Sequence, residues 1–473
     1  MPSSLTRATI VRFWVPLAGT WLMMAFEAPF LAAIIARMSA PTENLAAFGV
    51  AFAFAVIIES PIIMLLSAST ALVHDRSSYL ALRRFATRLN VALTVVLLVA
   101  IVPAVFDGIA DLVRLPVETR GLTRTALALL LPWPGFIGYR RFRQGLLISH
   151  NKTRLVAVGT VLRLTSMGAT AAAAAFWLPL PGAEIGALAM SVGVVVEAVA
   201  SGVMTRDIVR SLLRRGDDSS RPPLTQPSIA AFYVPLALTS IMAMAVQPMV
   251  TFFMGLSRLA LESLAVLPVI NGLTFIFRSL GVSYQEVGLA LMGRRGEHYW
   301  PLRNFAIGLG LSTTTALALI ALTPVSGFWF ETVSGLSANL AGFARLPVII
   351  LVALPGLSVT LSFQRAVLLT ARRTHYITWA TLLEVVGIGS TILIAIVRFD
   401  VPGAVAAATG LMMGRVMSNA FLLWPCRRAI LGFARSPTSG EDIDDTPVSA
   451  AAAARRTIET DPTVEPTVAP RRS

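Results

Sequence analysis

Apolar residues dominate this chain in long runs, broken by short polar stretches. The runs reach 20 residues or more, the length needed to cross about 30 Å of hydrocarbon. They predict twelve transmembrane helices, at roughly 10–36, 45–73, 84–106, 121–149, 154–178, 183–209, 229–256, 262–292, 302–329, 341–371, 375–397 and 402–430. A polar, Pro- and Ser-containing linker, RSLLRRGDDSSRPPLTQPS, separates the sixth from the seventh. The expected organisation is an N-terminal stretch 1–9, a six-helix lobe 10–212, a linker 213–228, a second lobe 229–432 and a disordered tail 433–473. That tail is rich in Ala, Pro, Thr and acidic residues and has no apolar periodicity.

The two halves read as copies. RFWVPLAGTWLMMAFEAP (12–29) aligns with AFYVPLALTSIMAMAVQP (231–248), and Pro29 falls on Pro248 at an offset of 219. PGFIGYRRFRQGLLISHNKTR (134–154) aligns with PGLSVTLSFQRAVLLTARRTH (355–375) at an offset of 221, and LPGAEIGALA (180–189) with VPGAVAAATG (401–410) at the same offset. An even number of spans per half makes the repeats parallel, related by an axis along the membrane normal. The fold class is therefore an all-α membrane protein of twelve transmembrane helices in two parallel six-helix repeats.

Composition agrees with the pattern. The chain has 473 residues, is 55% hydrophobic and only 14% charged, and has a mean hydropathy of +0.73. Its net charge of +14 comes mostly from short loops between spans, where topology explains it and no nucleic-acid partner is needed. Arg7, Arg12, Arg76, Arg83, Arg84, Arg88, Arg206 and Arg210 fall on one side; Arg37, Arg114, Arg258 and Arg398 fall on the other. The bias places both termini in the cytoplasm of a multi-pass inner-membrane protein. One cysteine, Cys426, excludes an internal disulfide, and the four histidines lie in or beside loops, so no metal site or cofactor is expected. There is no P-loop and no GxSxG, and an enzyme is not expected.

The informative residues are charges inside spans, which normally face a cavity, a partner or water. In the first half these are Glu27, Glu59, Arg140, Arg141, Arg143, Arg163 and Glu197; in the second, Arg278, Glu286, Arg365, Glu384 and Arg415. The repeat sets Glu59 on Arg278 and Arg163 on Glu384, and it sets Arg143-Gln144 on Gln364-Arg365. Complementary charges at equivalent positions point to pairs across the halves or within one. Arg140, Arg143 and Gln144 share one helical face, downstream of Pro132 and Pro134, as Arg365 lies downstream of Pro355. Guanidinium groups converging on a cavity would bind a carboxylate or phosphate; the alternative is snorkelling or structural pairing. The candidate cargo contacts are Arg140, Arg143, Gln144, Arg163, Arg278, Gln364 and Arg365. Glu27, Glu59, Glu384 and Arg415 are candidates for ion coupling, to H⁺ or Na⁺, or for charge pairing. The expected partners are a small anion and the bilayer, with the protein a monomer.

Over residues 10–430 the sequence resembles the multidrug and toxin extrusion (MATE) transporters and their superfamily of oligosaccharide and polysaccharide flippases. The resemblance rests on the duplicated VPL opening of each half and the duplicated PG…Q…T segment of spans four and ten. FGVAFAFAVIIESP (48–61) and GLLISHNKTR (145–154) are most similar to the progressive ankylosis branch. The resemblance implies an alternating-access exporter, and the branch implies anions such as citrate or nucleotides. Span one offers Glu27 where cation-coupled multidrug members carry an aspartate. Multidrug efflux, flipping of a lipid-linked oligosaccharide, a major-facilitator fold and a membrane scaffold remain alternatives.

Overall fold

A computed structural model describes residues 5–150, 152–214, 224–293, 296–371, 373 and 375–435. The described residues form helices joined by short turns. In hydrocarbon every backbone polar group must be satisfied within the chain, which a helix does by itself. Span one is Arg7–Ala25 continued by Glu27–Ile35; span two is Pro41–Glu59 continued by Leu65–Leu72; span three is Arg76–Ala100. Span four is Val117–Leu129 with Trp133–Ser149, span five Thr153–Trp177, and span six Gly182–Met204 continued by Arg206–Arg214. The second half repeats the order: Gln226–Met244 with Val246–Gly255, Ala260–Leu291, Tyr299–Leu322, Ala338–Ile350 with Leu354–Thr370, His375–Phe399 and Gly403–Arg435. Among the described residues nine helices are long and apolar enough to cross a membrane; span three makes ten when joined to Pro103–Leu112, from which it bends by 79°. Spans four and twelve are the others, and arginines interrupt their apolar runs. Residues 215–223 of the expected linker and 436–473 of the expected tail lie outside the described residues. Span six runs to Arg214, and span seven starts at Gln226.

Proline sets the breaks. Pro29 has no N–H for the carbonyl of Ala25, and the first helix of span one ends at Ala25. Pro248 stands in the same relation to Met244, where the first helix of span seven ends. Spans four and ten break at Leu130 and Leu351, four residues ahead of Pro134 and Pro355. The duplication reaches fine detail. Ala40 and Leu259 both take left-handed backbone at the start of the second span of their half. The Asn44 carboxamide oxygen accepts from Ala183 N at 2.8 Å; at the equivalent place the Ser263 hydroxyl oxygen accepts from Ala404 N at 3.1 Å.

The halves meet along spans two and eight. A Cβ at Gly49 would sit 3.0 Å from Pro268, its own repeat equivalent, and one at Gly272 would sit 2.8 Å from Pro29. Small residues let these helices approach closely. The first helix of span one leans on the opposite half: Trp14 Nε1 donates to Ser283 Oγ at 2.9 Å, and Ile10 is buried in a cluster with Tyr284, Leu302 and Leu422. Span seven returns the contact, with Tyr233 donating to the Pro61 carbonyl and Gln226 to the Ala81 carbonyl. Each half thus lends the N-terminal part of its first span to the other.

Candidate functional site: two buried charge clusters

In the first half the cluster is organised by Glu197 on span six, whose side chain is fully buried. Arg140 on span four donates to Glu197 Oε2, and Gln144, one turn on, donates to Oε1 at 3.1 Å. Arg163 on span five lies 3.3 Å from Glu197 Oε2 through Nε and donates through Nη1 to Glu27 Oε1 at 2.8 Å. Glu27 is the first residue after the break in span one, so it joins the second helix of that span to span five. A carboxylate also suits the start of a helix. Two arginines face two carboxylates, all almost removed from solvent. Glu59 and Arg141 stand beside this network and interact electrostatically with Arg140 and Arg163, but neither forms an ion pair or hydrogen bond to a described residue.

The second half differs. Arg415 on span twelve pairs with Glu384 on span eleven at 2.9 Å. Arg365 on span ten donates to the Thr381 hydroxyl at 3.3 Å. Arg278 on span eight makes no hydrogen bond or ion pair to a described residue, and its Nε is buried and unsatisfied. Arg278 and Arg365 both lie within the electrostatic reach of Arg415 and Glu384. Among the described residues this cluster therefore holds Arg278, Arg365 and Arg415 against Glu384 alone. The repeat shows what changed: at the offset of 221, Ser418 stands where the first half has Glu197, and its hydroxyl is buried without a partner.

The candidate residues differ in their partners. Arg140 turns inward to Glu197, while Arg143 turns outward, over the Tyr139 ring at 4.9 Å and toward Thr205 Oγ1 at 3.4 Å. Arg140, Gln144 and Arg163, expected to contact cargo, each donate to Glu197 or Glu27, while Gln144 Oε1 is buried without a hydrogen-bond partner among the described residues. Gln364 is tied to its own half, donating to the Asn419 carbonyl at 3.1 Å. The ion pairs at the repeat-related charges form within each half: Arg163 joins Glu27 and Glu197, and Glu384 joins Arg415. Glu59 and Arg278 make no ion pair with each other or with another described residue. Glu197, named among the intramembrane charges but assigned no role, holds the first cluster together. Its signal was present, an acidic residue in the middle of an apolar span, but spacing alone does not show which arginines reach it.

No family model matches the chain, and no curated protein matches it. Among solved structures it is similar to an inward-facing multidrug resistance MATE family transporter of the MOP superfamily, with a TM-score of 0.70, 17% identity, and coverage of 89% of this chain and 100% of that one. It is also similar to the lipid II flippase MurJ in an inward closed conformation, at 0.67 and 13%, covering 89% and 90%. A MOP superfamily transporter from Pyrococcus furiosus, reported with reversed polarity of its binding pocket, aligns at 0.57 and 15%, covering 90% and 96%. The chain has the fold of the MATE transporters and of the wider MOP superfamily.

Proposed function

We propose that the protein is a secondary active transporter that exports or exchanges an organic or phosphorylated anion, such as citrate or a nucleotide, by alternating access between its halves. The observation that carries this reading is the unbalanced positive charge buried in the second half. A buried charge without a counter-charge is costly, and a scaffold gains nothing from Arg278 and Arg365 where they stand. An anion supplies the missing charge, and a guanidinium forks onto two of its oxygens. Arg278 and Arg365 contact the cargo, with Arg415 held in place by Glu384. The first half keeps Arg140 and Arg163 neutralised through Glu197 and Glu27. Glu59, without an ion pair among the described residues, is a carboxylate able to take a coupling proton or sodium ion. The bias of loop arginines supports an inner-membrane topology with both termini in the cytoplasm.

The likeness to a lipid II flippase favours a second reading, a lipid-linked phosphate as cargo on the same arginines. Thermal melting of the purified full-length protein separates the two. Citrate, ATP, pyrophosphate, a polyprenyl phosphate and tetraphenylphosphonium are each added at saturating concentration, since a ligand of the folded state raises the melting temperature by mass action. Stabilisation by a soluble anion, lost in Arg278→Ala and Arg365→Ala, supports the proposal. Stabilisation by polyprenyl phosphate alone moves the reading to a flippase. Stabilisation by the lipophilic cation alone refutes both.

A further inference from the structure

The outward turn of Arg143 leads to a second feature. On the flank of the first half, spans three, four and six enclose a groove of about 990 Å³. No residue of the second half lines it, so it is separate from the surface between the halves. Its wall is apolar: Phe136 on span four, 38% exposed, faces Val199 and Val203 on span six, 58% and 54% exposed. Its end toward the N-terminal face of the membrane is basic, formed by Arg143, Arg206 and Arg210. A smaller hollow of about 170 Å³ behind Arg143 and Tyr139 adds Arg83. Asp207 lies 3.6 Å from Arg210 and offsets that one charge in part. Arg143 has no carboxylate partner among the described residues, and the Tyr139 ring lies 4.9 Å from its guanidinium.

We propose that this groove binds one anionic glycerophospholipid from the leaflet on the N-terminal face. Its phosphate would lie between Arg143 and Arg206, and its acyl chains would run along Phe136, Val199 and Val203. Three observations converge on an amphiphile. Exposed valines inside a span belong against hydrocarbon. From Val199 to Arg210, across the break at Thr205, the helical rise is at most about 16 Å, the scale of a headgroup and the first half of an acyl chain. Basic side chains at this depth attract anionic headgroups. A free anion would use the arginines and leave the apolar wall unexplained; a zwitterionic lipid would leave the positive excess unneutralised.

Native mass spectrometry of the full-length protein tests this, after delipidation and titration with dioleoylphosphatidylglycerol or dioleoylphosphatidylcholine. The wild type is expected to retain one phosphatidylglycerol with at least tenfold preference over phosphatidylcholine. The Arg143→Gln/Arg206→Gln double variant is expected to lose the preference. Val203→Trp, which fills the wall at a lipid-facing position and keeps every arginine, is expected to lose the bound lipid while melting like the wild type. Equal retention of the two lipids overturns the proposal, as does a preference that survives in both variants. Competition by glycerol 3-phosphate as effective as the lipid would also overturn it, by showing a site for a free anion.

Discussion

The two halves of this protein share a scaffold and differ in their buried charge. Asn44 and Ser263 tie equivalent helices, and the spans break at equivalent prolines. Yet Glu59 faces Arg278 in the repeat, Arg163 faces Glu384, Gln144 faces Arg365 and Glu197 faces Ser418. The first half gathers Glu27, Arg163, Glu197, Arg140 and Gln144 into a network, with Glu59 and Arg141 beside it. The second leaves Arg278 and Arg365 without a carboxylate of their own. The difference separates two uses of a buried arginine. Where carboxylates neutralise it, it holds helices together; where none does, it is available to a charge from outside.

The largest effect is expected at Glu197. Glu197→Gln removes the charge that faces both Arg140 and Arg163, leaving uncompensated cations in the interior. Breaking a buried pair in this way costs about 3–5 kcal/mol. Melting of the purified variant should drop by many degrees, and an unchanged melting temperature would mean that the network does not hold the first half.

A smaller effect of opposite sign is expected in the second half. Arg278→Leu removes a buried charge that has no ion pair among the described residues, so the ligand-free protein should gain roughly 1 kcal/mol. A loss of stability comparable to that of Glu197→Gln would erase the contrast between the halves.

The smallest effects test the shared scaffold. Asn44→Ala and Ser263→Ala each remove an acceptor from the first helical N–H groups of spans six and twelve, at a cost of about 1 kcal/mol each. Similar losses in chemical denaturation would show that the halves are equal where charge is not involved. A loss several times larger at one of them would place an asymmetry in the scaffold itself.

Much of the fold was legible in the sequence, because its determinants are local. Long apolar runs and the repeat give twelve spans, and the missing N–H groups of Pro29, Pro134, Pro248 and Pro355 mark where they break. The arginines were legible as intramembrane charges, but their directions were not. Arg140 and Arg143 are three residues apart, which puts them about 60° apart around the helix. Whether each faces inward or outward depends on which side of span four packs on Glu197, 57 residues away. Gln364 misled for a similar reason, since its partner is a backbone carbonyl of span twelve that no side-chain pattern reveals.

The most direct test restores the missing carboxylate. Ser418→Glu puts an acidic group at the repeat position of Glu197, beside the span that carries Arg365, and Ser418→Gln is the neutral control of equal size. Both variants would be melted with and without the anion that stabilises the wild type. The account expects Ser418→Glu to lose that stabilisation, because its own carboxylate neutralises the arginines, while Ser418→Gln keeps it. Undiminished stabilisation of Ser418→Glu would contradict the claim that unbalanced arginines in the second half hold the cargo.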